Sequence, residues 1–355
     1  MPAPVIDWIV AEWIAGRMAG NGHAPSPEID LVPITADAEQ RVVAYTGLTP
    51  TAPLPPPEGL SRKEWVATNI ASTRALIDPM LERLTVRVGP VKPAAELWLG
   101  LTGSTEVGVL VGYLAQRVLG QYEFVLLKEH AGGRPPRLLF VMPNLGEAVK
   151  RFEADEREFV TWVALHEVTH AVQFGGVPWL QDHLAGLIRE LMESAEARMA
   201  VGRRMRLPSR ATVARVGRAL LKADVIGMVA SEPERTAIDR AQAVMAVIEG
   251  HAEHVMDAVA PELLPSLPDL RRALDERRKV QSPLGRLVSR LLGMEMKLKQ
   301  YERGKIFCDE IARVGGGAAL RHLFSAPEAL PTLAEVEDPA AWLRRTGLQA
   351  PPRRP

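Results

Sequence analysis

Apolar residues recur at helical spacing along most of the chain, and strand-like runs occupy one short stretch. Ile6, Ile9, Val10, Trp13 and Ile14 share the spacing of a helix face within residues 6–18, and Gly20 and Gly22 stop that segment. A loop follows through Pro25 and Pro27, and residues 37–45 read as a short helix. Residues 49–59 hold Pro50, Pro53, Pro55, Pro56 and Pro57, each without an N–H group, so this stretch is expected to be loop or linker. Ser61 with Glu64 forms a capping-box pattern. The helix it opens is expected to reach Leu84 with a kink or break near Pro79. A second apolar helical region, with glycines inside it, covers residues 97–119.

Two strand-like runs come next, 122–127 (YEFVLL) and 137–142 (RLLFVM), around a Gly132-Gly133-Arg134-Pro135-Pro136 turn. They predict an antiparallel hairpin with a long loop. After Pro143-Asn144 the pattern turns helical and stays so to about Leu323. The predicted segments are 147–154, 157–174, 179–199, 211–223, 234–259, 267–280, 284–293, 297–314 and 319–324. The fold class expected is therefore mainly α with a small antiparallel β-sheet. The expected domain plan is an N-terminal helical segment and Pro-rich linker (1–60), a main domain (61–345) and a flexible tail (346–355). The chain shows neither an internal repeat nor a long low-complexity block.

Composition narrows the function classes. With 355 residues, 47% hydrophobic and 24% charged, the chain has the make-up of a soluble globular protein large enough to bury a core. The formal net charge is zero, which argues against nucleic acid or an anionic membrane as the main partner. The Arg-rich spots at 271–272, 277–279 and 353–354 are more simply solvated faces and a tail. Cys308 is the single cysteine, so an intramolecular disulfide is impossible, which fits a reducing compartment. The first residues lack a basic stretch followed by an apolar one, and the longest apolar run, around 107–114, is too short to span a membrane. A cytoplasmic protein is expected. Oligomeric state leaves no mark in the sequence.

The chemistry sits in His166-Glu167-Val168-Thr169-His170, inside a segment with Phe159, Trp162, Val163, Leu165, Ala171, Val172 and Phe174 around it. Positions i and i+4 lie on one helix face, so both imidazoles can reach one metal ion. Glu167 sits one residue round the helix, where it can serve a metal-bound water as general base. Chance gives such a motif in a chain this long roughly once in a hundred. The plain alternative, a pair of buried histidines satisfied by ordinary hydrogen bonds, leaves several polar groups to be partnered on an apolar helix.

A catalytic zinc needs a third protein ligand and an open position. The extended pattern HExxHxxGxxH is absent: Gln173 stands where its glycine would fall, and Gly176 where its last histidine would. The best source is Ile248-Glu249-Gly250-His251-Ala252-Glu253-His254, in the predicted helix 234–259. Glu249 and Glu253 form an i, i+4 pair, one to bind metal and one to orient a ligand histidine. Gly250 would let helices approach closely. The competing reading is a solvated acidic stripe. His251 and His254 are further candidates, as ligands or to stabilise a developing oxyanion, though helix geometry sets them off the Glu249 face. Tyr301 is another oxyanion candidate, against the simpler reading of a half-buried tyrosine. The run 137–142 offers an edge to an extended peptide, or merely covers the core.

WVALHEVTHAVQF, then Pro178-Trp179-Leu180, VMAVIEGHAEHVMD and LLGMEMKLKQYERGKIF, together resemble a family of zincin-like metallopeptidases whose members are associated with biosynthesis of a deazaflavin coenzyme. The resemblance runs from the helix after Ser61 to Trp342. Among HExxH enzymes the arrangement is similar to the gluzincins. That resemblance implies a zincin-like core, Glu249 as the third zinc ligand and Glu253 as the supporting acid, although an aspartate is more usual there. The expected function is zinc-dependent hydrolysis of a peptide or other amide bond, with Glu167 activating the zinc-bound water. The alternatives are a zinc-binding scaffold without proteolytic activity and a metallohydrolase of small molecules.

Overall fold

Local capping chemistry sets the first elements. In the computed structural model, the Asp7 carboxylate accepts from the Ile9 and Val10 amides and opens α1 (Trp8–Ala19), which ends at Gly20 with φ 63°. The structure describes residues 6–22, 25–88, 93–123, 135–202, 232–265 and 294–348. Asp30 caps α2 (Leu31–Thr46), which closes on left-handed Gly47. This helix is longer than the sequence pattern predicts, because Pro33 falls in its first turn, where a missing N–H costs nothing. The Ser61–Glu64 box forms as expected: the Ser61 amide donates to Glu64 Oε2 at 2.8 Å and the Glu64 amide to Ser61 Oγ at 3.3 Å. A short strand, β1 (Pro57–Leu60), precedes it. The helix the box opens, α3 (Arg62–Val88), continues through Pro79 past its expected end. It is followed by α4 (Pro93–Ala115).

The sheet is mixed rather than purely antiparallel. β2 (Gly120–Glu123) pairs antiparallel with β3 (Arg137–Val141), as the hairpin pattern predicts, and β1 adds to the other side of β3 in parallel. The order is β1-β3-β2, so β3 is central. That corrects the expectation that residues 137–142 offer an open edge to a peptide, since both of its sides are taken. The Pro-rich linker thus ends in a strand, and Pro57 is tolerated there as its first residue on an edge. The Arg137 guanidinium fixes the parallel pair by forking onto Glu58 at 2.6 and 3.0 Å.

Next come α5 (Met142–Phe152), α6 (Glu156–Gly176), α7 (Leu180–Gly202) and α8 (Glu232–Val259). The long α9 (Met294–Leu323) is broken at Gly316, whose φ of 64° favours glycine, in line with two predicted helical segments there. Two short helices close the described chain, α10 (Leu333–Glu337) and α11 (Pro339–Thr346). Predicted helices at 211–223, 267–280 and 284–293 lie outside the described residues, as do residues 124–134 of the hairpin and 349–355 of the tail. Among the described residues, no helix is long and apolar enough to cross a membrane.

By internal contacts the chain divides into two compact units, Met1–Gly176 with Val255–Arg277, and Val177–His254 with Arg278–Pro355. α8 is continuous through that division. In the first unit, α2, β3, α5, α6 and the end of α8 bury Ile34, Val42, Leu138, Phe140, Leu145, Val163, Val168, Val255 and Met256 around one core. A second cluster joins α1 to α3 and α4 through Trp8, Ala15, Trp65, Ile70 and Val111. Bare Gly108 and Gly112 on α4 let the α1 backbone approach, since a Cβ there would lie 2.7 Å from Ala11 O and 2.9 Å from Ala15 O. In the second unit Phe307, Cys308, Ile311 and Trp342 are fully buried. There the Trp342 indole donates to Ala329 O at 2.7 Å.

Gly250, expected to let α8 approach the helix of the two histidines, instead packs against α9. A Cβ on Gly250 would stand 2.1 Å from the Gly304 carbonyl carbon, and one on Gly304 would stand 2.0 Å from Ala246 O. Backbone meets backbone, so neither side can yield. Gly250→Ala is expected to destabilise by at least about 1–3 kcal/mol. Gly186→Ala, in α7 with nothing within 4 Å of the added carbon, is expected to stabilise by about 0.4–1 kcal/mol. Thermal melts of the two variants moving in the same direction would contradict this packing.

Candidate metal centre

The Asp155 side chain accepts from the Glu158 amide at 2.9 Å at the start of α6. From there the helix is buried on nearly every side: Phe159, Val160, Ala164, Leu165, Val168, Ala171 and Val172 all lie in the interior. The same helix carries His166, Glu167, His170 and Gln173, so each polar group must find a partner within the protein.

They do. The His170 and His166 Nε2 atoms converge to 3.1 Å, with the rings edge to face at 4.6 Å between centroids. His170 Nδ1 lies 2.9 Å from Gln173 Oε1. A carbonyl oxygen can only accept, so this contact suits the His170 tautomer with its proton on Nδ1 and its lone pair on Nε2. His166 Nδ1 lies 3.2 Å from the Met256 thioether on α8, a weak acceptor that suits the same tautomer. Two imidazoles thus present lone pairs to a common point, as cation ligands do.

Glu249 lies seven residues, two helical turns, before Met256 and so on the same face of α8. His166, His170 and Glu249 each offer one ligand atom, and these atoms lie within 4.8 Å of one another. This donor set, two neutral nitrogens and one carboxylate, suits zinc. Glu253 lies one turn further along α8 and is half-buried.

The other candidates are placed elsewhere. His251 packs edge-on against the Phe324 ring at 4.9 Å. His254 Nδ1 meets Asp309 Oδ1 at 2.7 Å, and Lys305 Nζ meets Asp309 Oδ2 at 2.5 Å. Burial alone would raise the Asp309 carboxyl, but the hydrogen bonds and charges of Lys305 and His254 outweigh it and hold it below its ordinary range. Both histidines therefore face α9 and the chain just after it, on the Gly250 side of α8. The side chain of Tyr301 lies outside the described residues.

Strand β2 runs against α6. The Tyr122 amide donates to Glu167 Oε2 at 2.9 Å, and the Tyr122 ring stacks on Phe174 at 6.0 Å. Burial pushes the Tyr122 hydroxyl up to about 12, so it stays neutral. Gln173, Met256, Gly120 and Tyr122 were not singled out by sequence reasoning as parts of the site. Only Gln173 carried a signal, its i+3 spacing from His170.

Fold and site together define a mainly helical protein in which His166, His170 and Glu249 form a group that could hold a metal ion. The zincin-like metallopeptidase family matches residues 6–343, and the chain belongs to that family. It is similar to a protein from Chloroflexus aurantiacus whose crystal structure is described as that of a candidate hydrolase with a novel fold. The two share 28% identity and a TM-score of 0.69, over 97% of this chain and all of the other. No curated protein matches.

Removing the Gln173 carbonyl frees the His170 ring, so Gln173→Leu is expected to weaken zinc binding by about 10–100-fold, read by chelator competition. Unchanged affinity would remove Gln173 from the site. The Asp309 network predicts a pH effect. A carboxyl held below its usual 3.8 adds stability that is present above that value and lost as the pH falls through the lower, folded value. Acid titration of stability should therefore be shallower in Asp309→Asn than in wild type below about pH 4.

Proposed function

We propose that the chain is a zinc-dependent hydrolase of peptide or other amide bonds, with zinc held by His166, His170 and Glu249. The observation that carries the reading is the convergence of two Nε2 atoms at 3.1 Å with a Glu249 oxygen in reach. Zinc bound there supplies Lewis-acid polarisation of the scissile carbonyl. The rest is the work of side chains. Gln173 and Met256 hold the Nδ1 protons of the two histidines, which keeps both Nε2 atoms available. Glu167, at 8% exposure, has one carboxylate oxygen fixed by the Tyr122 amide. From that position it takes a proton from the attacking water on a carboxylate oxygen and returns it to the departing amine nitrogen.

The test combines metal analysis with cleavage of fluorogenic peptides. Wild type should hold about one zinc per chain, and Glu249→Ala should lose it. Glu167→Gln should keep its zinc and lose about 10²–10⁴-fold in turnover. Zinc-loaded wild type that cleaves no peptide or amide would replace the hydrolase reading with that of a zinc-binding scaffold. Full turnover in Glu167→Gln would remove the role given to Glu167.

A further inference from the structure

β2 is an edge strand, and its outer side faces Glu167. Leu119 O accepts from the Val141 amide at 2.9 Å. By the alternation of an antiparallel ladder, Gln121 and Glu123 then also turn their main-chain groups to β3, while Gly120 and Tyr122 turn theirs outward. Both outward residues meet the Glu167 side chain. The Tyr122 amide donates to Oε2, and a Cβ placed on Gly120 would lie 2.6 Å from Glu167 Cγ and 3.0 Å from both Cδ and Oε1. The carboxylate is seated on a bare Cα with a backbone donor at its far oxygen.

The glycine is there for space. Its φ is not among the positive values of the chain, so its backbone is open to any residue. Its lack of a side chain matters only because the Glu167 side chain occupies that volume. The strand cannot retreat easily, because the Tyr122 ring is stacked on Phe174 of the same helix, one turn beyond His170. A methyl group at Gly120 would therefore displace the flexible partner, the Glu167 side chain.

We propose that Gly120 and the Tyr122 amide are positioning elements that set the Glu167 carboxylate relative to the His166 and His170 nitrogens, and that Gly120 is a positioning residue of the hydrolytic site. This rests on the role given to Glu167 above, so the test reads the contact separately from the chemistry.

The chain has four tyrosines, so the zinc-loaded full-length protein labelled with ¹⁵N-tyrosine gives a small set of amide signals. The Tyr122 signal is assigned through Tyr122→Phe, which removes the label there and keeps the backbone donor. Bonded to a carboxylate, this amide proton should resonate well downfield. It should move upfield in Glu167→Ala and in Gly120→Ala. Gly120→Ala added to Glu167→Ala should produce no further shift, and the control Gly186→Ala should leave the signal in place. In peptide cleavage Gly120→Ala should lose about 10²-fold in kcat with KM, zinc content and melting temperature held, the cost of misplacing a group by an ångström or so.

A Tyr122 signal indifferent to Glu167→Ala overturns the proposal. So does wild-type kcat in Gly120→Ala, and so does a Gly120→Ala protein that loses zinc or melts well below wild type, which would make the glycine structural. If the signal responds to both substitutions while wild type cleaves nothing, the positioning stands and the hydrolase reading falls.

Discussion

An apolar helix that must carry polar side chains in its buried stretch governs the rest of this structure. α6 is buried on nearly every side, yet it holds His166, Glu167, His170 and Gln173. Each such group left without a partner in the interior would cost on the order of 1–3 kcal/mol. The surroundings can be read as the answer to that cost. The Gln173 carbonyl faces His170 Nδ1 as an acceptor, the Met256 sulfur faces His166 Nδ1, and the Tyr122 amide donates to Glu167. The contacts that partner these polar groups also orient the two imidazoles and the carboxylate.

Two elements must come close to α6 for this to happen, and each arrives by its own route. β2 approaches through the absent side chain of Gly120 and is held by the Tyr122–Phe174 stack. The end of α8 approaches as part of the hydrophobic core, through Val255, Met256 and Val259. Glu249 lies two turns before Met256 on the same helix. The opposite side of α8 is spoken for by Gly250 against Gly304 and by His254 against Asp309.

The legible parts of the fold are those whose cause is local. Helix positions followed from periodicity and caps, and the His166–His170 pairing follows from i, i+4 spacing alone. β1 was read as linker because its approach is crowded with prolines, and nothing local says that Pro57 to Leu60 will pair with a strand far along the chain. α10 and α11 span too few residues to show a helical period, although Thr332 and Glu335 form a capping box that does mark the first of them. At the site, Gly120 and Tyr122 act through a backbone donor and an absent side chain. Neither leaves a pattern in sequence, since any residue has an amide and glycines have many uses. Met256 reads as one more apolar core position until its sulfur is placed beside His166.

Gln173 shows how a single departure from a familiar pattern can redirect a site. In HExxHxxGxxH the position three past the second histidine is glycine, a residue suited to turning the chain. Here it is a fully buried glutamine, and α6 runs on without a break to Gly176. The chain after the histidines therefore stays helical and cannot fold back to bring a nearby third ligand. The glutamine instead spends its carbonyl on His170 Nδ1, an interaction that only an unbroken helix places at the right distance. Continuing the helix and ordering the histidine are two effects of one residue, and together they require that any third protein ligand come from a distant element. On α8, Glu249 offers a ligand atom within 4.8 Å of those of His166 and His170.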